Sequence, residues 1–381
     1  MGYRLPERLC FVVNPLAGIG GKLALKGSDG EKGVEALRRG AELVAPLRAQ
    51  RFLVELGRSS IDRYYFLTAS GIMGAKLVED IGGSFDIVYR PSRWPTTRDD
   101  TIKTVEECIS RGVGVVVFVG GDGTARDVVE AVGGTGIPIL GVPSGVKVYS
   151  SVFAESPEAA ASILDNWVSS RSICTGEVLD VDEDAYRQGR LDVKMYAEAP
   201  IPCSELLVGS SKQPSRSSPE ELENREAIAR YVFDKYVSNC TLLVLGPGST
   251  VEHLARYIGL SKTLLGVDVV HNGRVVARDV TEEELYEIVS KHRGSGGRVL
   301  VVVTPIGGQG YILGRGNQQI SPRVIRRAGG RSSLLVVSTR YKLSRIKKLR
   351  IDTDDIEFNK DMRGYIRVVI DYGEEVIVKV E

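Results

Sequence analysis

The sequence contains one short loop whose residue types suit phosphate chemistry. An apolar run at residues 115–119 leads into residues 120–124, Gly-Gly-Asp-Gly-Thr, and a helical pattern follows at once. Glycines let backbone N–H groups approach an anion closely, and a carboxylate between glycines can face a metal, a hydroxyl or a phosphate. An ordinary turn, in which Asp122 only caps a helix beginning near Thr124, is an equal alternative for these five residues.

The first glycine-rich loop, residues 14–23, fits neither standard phosphate-binding fingerprint. Leu23 stands where a Walker loop requires Ser or Thr after its lysine, and also where a dinucleotide fingerprint requires its third glycine. The sequence therefore does not support a P-loop NTPase or an ordinary Rossmann dehydrogenase, although the expected fold class is similar to both.

Alternating strands and helices must position these loops. Apolar runs rich in β-branched residues predict buried strands at 9–13, 64–67, 86–89, 114–119 and 137–142, and helical patterns occur at 71–80, 98–111 and 124–132. This alternation predicts an α/β nucleotide-binding domain with a parallel sheet over residues 1–148.

The later part of the chain has a different pattern of predicted helices and strands. Helices are predicted at 157–168 and 219–236, with a polar, exposed loop at 209–219 before the second of them. Strand-like runs dominate the remainder, so residues 149–381 are predicted to form a mostly β, substrate-binding domain.

Composition narrows the class of protein. With 50 basic and 49 acidic residues, the net charge of +1 provides no field that would draw the chain to nucleic acid or to an anionic membrane. The apolar run near the N-terminus is too short for a signal segment or a membrane span. Five widely spaced cysteines and three histidines show no metal-ligand spacing, so we expect reduced thiols and a cytoplasmic location.

Residues 120–124 resemble the GGDGT motif shared by NAD kinases, diacylglycerol kinases and sphingosine kinases. The turn at residues 14–15 with its following glycines resembles the first nucleotide loop of those kinases. Further motifs resemble the archaeal and AcoX-like branch of the ATP-NAD kinase family, and they follow one another at residues 18–22, 25–30, 141–150, 245–250, 304–310, 314–322 and 352–355. Two departures from the familiar bacterial members are the lack of a clear Asn-Glu pair after the GGDGT loop and the stretch TPIGGQGY at 304–311.

The resemblance implies a reaction and its reagents. The γ-phosphoryl of ATP, or a phosphoryl of polyphosphate, would pass to the 2′-hydroxyl of the adenosine ribose of NAD, giving NADP, in a cleft between the two domains. Asp122 would be the catalytic residue that orients or deprotonates this hydroxyl, and it could also contact Mg²⁺. The expected partners are small-molecule nucleotides and further copies of the chain, with no nucleic acid and no membrane.

Two sets of binding residues follow from the same resemblance. The set expected to bind the nucleotide cofactor is Asn14, Gly18, Gly20, Gly21, Lys22, Gly120, Gly121, Gly123, Thr124, Ser144, Gly145 and Lys147. The set expected to bind the substrate is Gly248, Ser249, Thr250, Thr304, Gly308, Gln309, Gly310 and Asn317. Ordinary alternatives stay open, since Ser249 can cap a helix, Lys147 can be a surface lysine, and the amides of Gln309 and Asn317 can bond to their own loop.

Two other functions also fit the sequence. One is a kinase for a different hydroxyl, on a small metabolite or a lipid, although a lipid acceptor would call for an apolar groove or an amphipathic membrane element. The other is a nucleotide-binding regulator that has lost catalysis. The retained Asp122 counts against the regulator.

Overall fold

The structure is a computed structural model that describes residues 6–25, 31–59, 61–181, 193–208, 218–238, 240–346 and 348–381. The chain divides into two compact units. The first unit comprises Met1–Gly20, Lys26–Tyr186 and Arg190–Lys212, and the second comprises Gly21–Leu25, Arg187–Gly189 and Gln213–Glu381. Residues 26–30 of the motif at 25–30 and residues 209–217 of the predicted exposed loop lie outside the described residues.

The first unit contains a five-stranded parallel sheet. Its strands are β1 (Glu7–Val13), β2 (Tyr64–Ala69), β3 (Phe85–Tyr89), β4 (Val115–Gly120) and β5 (Ile139–Pro143), in the order β3-β2-β1-β4-β5. The described helices are α1 (Glu31–Arg38), α2 (Val44–Ser59), α3 (Ala75–Asp80), α4 (Arg98–Ser110), α5 (Asp122–Val132) and α6 (Pro157–Ser170). The predicted α/β domain with its parallel sheet is confirmed.

Apolar side chains cover both faces of this sheet. One core contains Phe52 of α2 and Leu164 of α6, and the other contains Val105 of α4 and Val128 of α5. Local chemistry fixes the start of α4, where Thr97 forms a capping box with Asp100. The central strands are therefore buried on both faces, which explains their continuous apolar runs.

A helix and a hairpin after residue 148 also pack with the first unit. The hairpin consists of β6 (Ile173–Val181) and β7 (Val193–Pro202), which pair antiparallel, and β6 lies against α5. The predicted boundary at residues 148/149 falls before this hairpin and before α6, whereas the compact unit continues to Lys212.

The expectation that all cysteines are reduced is wrong. Cys174 and Cys203 form a disulfide with a Cα–Cα distance of 5.1 Å. The pairing of Cys174 with Ile201 across the hairpin brings the two thiols together, although they are 29 residues apart in the sequence. Cys10, Cys108 and Cys240 are free thiols.

The second unit is rich in strands, as predicted, and carries helices as well. Its seven-stranded sheet has the order β10-β9-β8-β11-β13-β15-β16, and a small pair is formed by β12 and β14. The strands are β8 (Thr241–Leu245), β9 (Asp268–His271), β10 (Arg274–Ala277), β11 (Arg298–Val303), β12 (Tyr311–Leu313), β13 (Leu334–Val337), β14 (Arg350–Ile351), β15 (Gly364–Asp371) and β16 (Glu374–Val380). The described helices are α7 (Pro219–Tyr236), α8 (Ser249–Tyr257), α9 (Glu282–Gly294), α10 (Pro322–Ala328), α11 (Arg340–Ser344) and α12 (Ile356–Asp361).

The centre of this second sheet is parallel. Strands β8, β11, β13 and β15 run in the same direction, and antiparallel strands flank them on each side. Within the described residues, every helix is too short or too polar to cross a bilayer.

Candidate functional site

The carboxylate of Asp122 is held by the backbone that follows β5. The backbone N–H of Tyr149 donates to Oδ2 at 2.9 Å and, less closely, to Oδ1 at 3.2 Å. The backbone N–H and the hydroxyl of Ser150 both donate to Oδ1, at 2.9 and 2.5 Å. Asp122 is half-buried at the start of α5, directly after β4.

This geometry excludes the capping alternative for Asp122. Helix α5 begins at Asp122 itself, its N-cap residue is Gly121, and no side chain caps it. The carboxylate instead bonds to residues 27 and 28 positions further along the chain. Its orientation is therefore set by tertiary structure, and the positive end of the helix dipole lies beside it.

Burial raises the pKa of Asp122 from 3.8 to about 6. Hydrogen bonds from Ser150 and Tyr149 and the charge of Lys147 act in the opposite direction and limit the rise. A carboxylate with a pKa of about 6 is largely ionised at neutral pH and is more basic than an exposed aspartate, which suits a group that accepts a proton.

The GGDGT loop follows β4, and the loops after the two neighbouring strands, β1 and β5, lie beside it. Since β1 and β4 pair directly, the loops after them share the carboxyl edge of the sheet, where open α/β sheets bind ligands. The side-chain amide of Asn14 donates to Thr124 Oγ at 3.0 Å, and the backbone N–H of Asn14 donates to the Val119 carbonyl at 3.0 Å. The first glycine loop and the GGDGT loop are thus tied together.

The loop after β5 completes this edge. Ser144 donates its backbone N–H to the Gly120 carbonyl at 3.0 Å, and a Cβ at Gly18 would lie 2.3 Å from the Ser144 carbonyl oxygen. Only glycine fits at Gly18, which also has a φ of +81°. Ser144 Oγ is buried and has no hydrogen-bond partner among the described residues. It is a polar group at the position where the sequence predicts nucleotide contacts.

The remaining residues of the first set fall into two groups. Gly20, Gly121, Gly123, Gly145 and Lys147 lie in the first unit, and Lys147 Nζ lies 4.5 Å from the centroid of the Tyr149 ring. Gly21 and Lys22 pack instead with the second unit, where Lys22 lies 3.7 Å from Asp354. The nucleotide roles of both groups stay predictions.

In the second unit, Gly248 and Thr304 lie close together. A Cβ at Gly248 would approach Thr304 Cγ2 to 2.6 Å, and Lys342 Nζ donates to Thr304 Oγ at 3.0 Å. Gly248 is the N-cap residue of α8, so Ser249 and Thr250 belong to its first turn and neither is the cap. The structure thus places a lysine, a hydroxyl and a helix N-terminus in the region predicted to bind substrate.

The amide-rich loop of the second unit is held mainly by its own backbone. Asn317 accepts a hydrogen bond from the Gly314 N–H at 3.0 Å and donates to the Ile312 carbonyl at 2.9 Å. Both ends of this amide are used structurally, as the alternative interpretation of Asn317 expected. Gly308, Gln309 and Gly310 lie in the adjoining turn, where Gln309 is buried.

Metal binding by the protein alone would need several ligands in one place. The described part of the chain contains no group of three or more His, Cys, Asp or Glu side chains that could hold a metal ion. Magnesium is commonly bound through one or two carboxylates together with substrate phosphates. The single carboxylate of Asp122 fits binding of magnesium together with substrate phosphates.

The fold, together with the loops at the carboxyl edge of the first sheet, defines an α/β protein with a carboxylate-bearing site at the ends of adjacent parallel strands. Residues 9–172 match the family model described as the ATP-NAD kinase N-terminal domain, and residues 238–380 match the model of the ATP-NAD kinase C-terminal domain. The chain therefore belongs to the ATP-NAD kinase family, and it carries the kinase fold of that family over both units. No curated protein and no solved structure matches the chain.

The sequence interpretation missed the residues that hold Asp122. Ser150 and Tyr149 lie at the end of the motif at 141–150, yet neither was assigned to the site. Serine is common in loops, and backbone N–H groups leave no signature in a sequence, so only the fold could reveal these contacts.

Proposed function

We propose that this kinase phosphorylates the 2′-hydroxyl of the adenosine ribose of NAD, with ATP or polyphosphate as donor, and so forms NADP. The observation that carries the proposal is the half-buried Asp122 carboxylate, oriented by Tyr149 and Ser150 at the carboxyl edge of the sheet. Membership of the ATP-NAD kinase family over both units supports NAD as the acceptor.

The proposed reaction requires the protein mainly to position the acceptor hydroxyl and the phosphates. Phosphoryl transfer requires the acceptor hydroxyl in line with the phosphorus atom and neutralisation of charge on the phosphate oxygens. In the proposal, Asp122 accepts the hydrogen bond of the acceptor hydroxyl and takes its proton. Backbone N–H groups of the glycine loops bind the phosphates, and Mg²⁺ supplies further charge neutralisation when it enters with the nucleotide.

A coupled assay tests the acceptor directly. Purified protein is incubated with Mg²⁺, ATP and NAD, and the product is detected with an NADP-specific dehydrogenase. We expect NADP to accumulate in proportion to enzyme and time, and parallel reactions with polyphosphate decide the donor. Protein that is folded by circular dichroism but forms no NADP with either donor would rule out the proposed reaction.

The pH dependence follows from the pKa of Asp122. Because the carboxylate must be ionised to accept a proton, and kcat/KM reports the pKa of the free enzyme, kcat/KM for NAD should fall about tenfold for each pH unit below about 6 and level off above it. Excess Mg²⁺ keeps the nucleotide phosphates ionised over the range. Measuring kcat/KM for NAD from acidic to neutral pH gives the profile, and a flat profile well below pH 6 would show that Asp122 is not the base.

A further inference from the structure

The hydroxyl of Ser150 has two partners, and they fix its direction. The backbone N–H of Leu179, in β6, donates to Ser150 Oγ at 2.9 Å, and Ser150 Oγ lies 2.5 Å from Asp122 Oδ1. An amide N–H can only donate, so the hydroxyl accepts from Leu179. Its single proton is then directed at the carboxylate. Ser150 is fully buried, so water does not compete for either bond.

The two oxygens of Asp122 are consequently unequal. Oδ1 receives three donors, from the hydroxyl and N–H of Ser150 and from the N–H of Tyr149. Within the described residues, Oδ2 receives one donor, the Tyr149 N–H at 2.9 Å. Since a carboxylate oxygen offers about two lone-pair positions, Oδ1 is saturated and Oδ2 keeps acceptor capacity.

We propose that Ser150 is a positioning residue that anchors Asp122 Oδ1 to strand β6 and thereby presents Oδ2 as the oxygen that meets the acceptor hydroxyl. This inference rests on the proposed function, because it assigns the working atom of the same carboxylate. The hairpin of β6 and β7 becomes part of the support of the site, since Leu179 connects it to Asp122 through one hydroxyl.

The adjacent serine provides a matched control. Ser151 Oγ accepts the backbone N–H of Glu177 at 2.8 Å, and Ser151 N–H donates to the Glu177 carbonyl at 2.9 Å. Both serines therefore bond to the backbone of β6 through their hydroxyls, but only Ser150 bonds to Asp122. Removal of either hydroxyl takes an acceptor from one backbone N–H of β6, and only the removal at Ser150 also takes a donor from Asp122.

The experiment compares Ser150→Ala, Ser151→Ala and the unmodified protein in the NADP assay, with thermal unfolding measured for each. We expect Ser150→Ala to lower kcat about tenfold to a hundredfold with KM for ATP and NAD unchanged, because a misplaced catalytic group costs turnover rather than binding. Ser151→Ala should keep kcat within about twofold. Turnover is measured well below the melting temperature of each variant, so that a kcat loss confined to Ser150→Ala is separated from general destabilisation.

A conservative variant tests whether the hydroxyl itself matters. Ser150→Thr retains the hydroxyl and should recover most of the turnover lost in Ser150→Ala. Equal kcat in Ser150→Ala and the active unmodified enzyme, or equal losses in the Ser150 and Ser151 alanine variants, would overturn the inference. Inactivity of the unmodified protein would instead refute the proposed function, so the two failures are distinguishable.

Discussion

Replacement of Asp122 by asparagine is expected to lower kcat at least about a hundredfold while ATP still binds. The amide has nearly the same shape as the carboxylate and can still accept hydrogen bonds from Ser150 through its oxygen. It cannot take a proton from a hydroxyl, and it carries no charge to contact a metal-bound nucleotide. Steady-state kinetics and a direct ATP-binding titration on the same preparation measure the two effects separately.

Asp127 provides the control for this substitution. It is a buried carboxylate on the same helix, and its pKa is also raised by burial, but its partner is Arg98, with an Nε–Oδ1 distance of 3.0 Å. Because Asp127 bonds to Arg98 rather than to the loop at residues 149–150, Asp127→Asn should leave kcat nearly unchanged. Full turnover in Asp122→Asn would show that the Asp122 carboxylate takes no part in the reaction. Equal losses of kcat in both variants would show that the substitutions damage helix α5.

Alanine at Gly18 is expected to lower the free energy of unfolding by about 3 kcal/mol and to raise KM for ATP. The new Cβ would lie 2.3 Å from the backbone oxygen of Ser144, and the φ of +81° is itself unfavourable for alanine. The strained backbone and the overpacking each cost roughly 1–3 kcal/mol. Relief of the clash moves Ser144, whose N–H bonds to the carbonyl of Gly120 in the GGDGT loop.

Gly40→Ala separates the cost of the backbone conformation from the cost of overpacking. Gly40 has a similar φ of +77°, but a Cβ there would meet no atom within 4 Å. Its cost should be near 1 kcal/mol, from the backbone conformation alone, with unchanged KM. Urea unfolding of the two variants measures the difference, and equal destabilisation would show that the loop accommodates the side chain at Gly18.

Elements with local signals were predicted well from the sequence. The buried strands of the first unit lie within about two residues of their predicted limits, since β-branched runs ending at glycine or proline mark them directly. Helix α7 has the predicted bounds because Ser218 and Pro219 define its start. Helix α9 was overlooked, although Thr281 and Glu284 form a capping box.

Features that depend on long-range register could not be predicted. The Cys174–Cys203 disulfide requires the pairing of β6 with β7, and spacing alone does not give that pairing. The contacts of Asp122 with residues 149–150 require the path of the chain after β5. At Asn317 the sequence shows an amide in a glycine-rich loop, and only coordinates show that both of its ends bond to backbone.

The disulfide also changes what thiol-directed labels can reach. All five cysteines lie in the described part of the chain: Cys10 and Cys108 are buried, Cys174 and Cys203 are joined, and Cys240 is exposed. Alkylating reagents need an accessible thiolate, so the oxidised protein offers Cys240 alone. A fluorophore or spin label can therefore be attached at a single natural position in the second unit without mutating the chain.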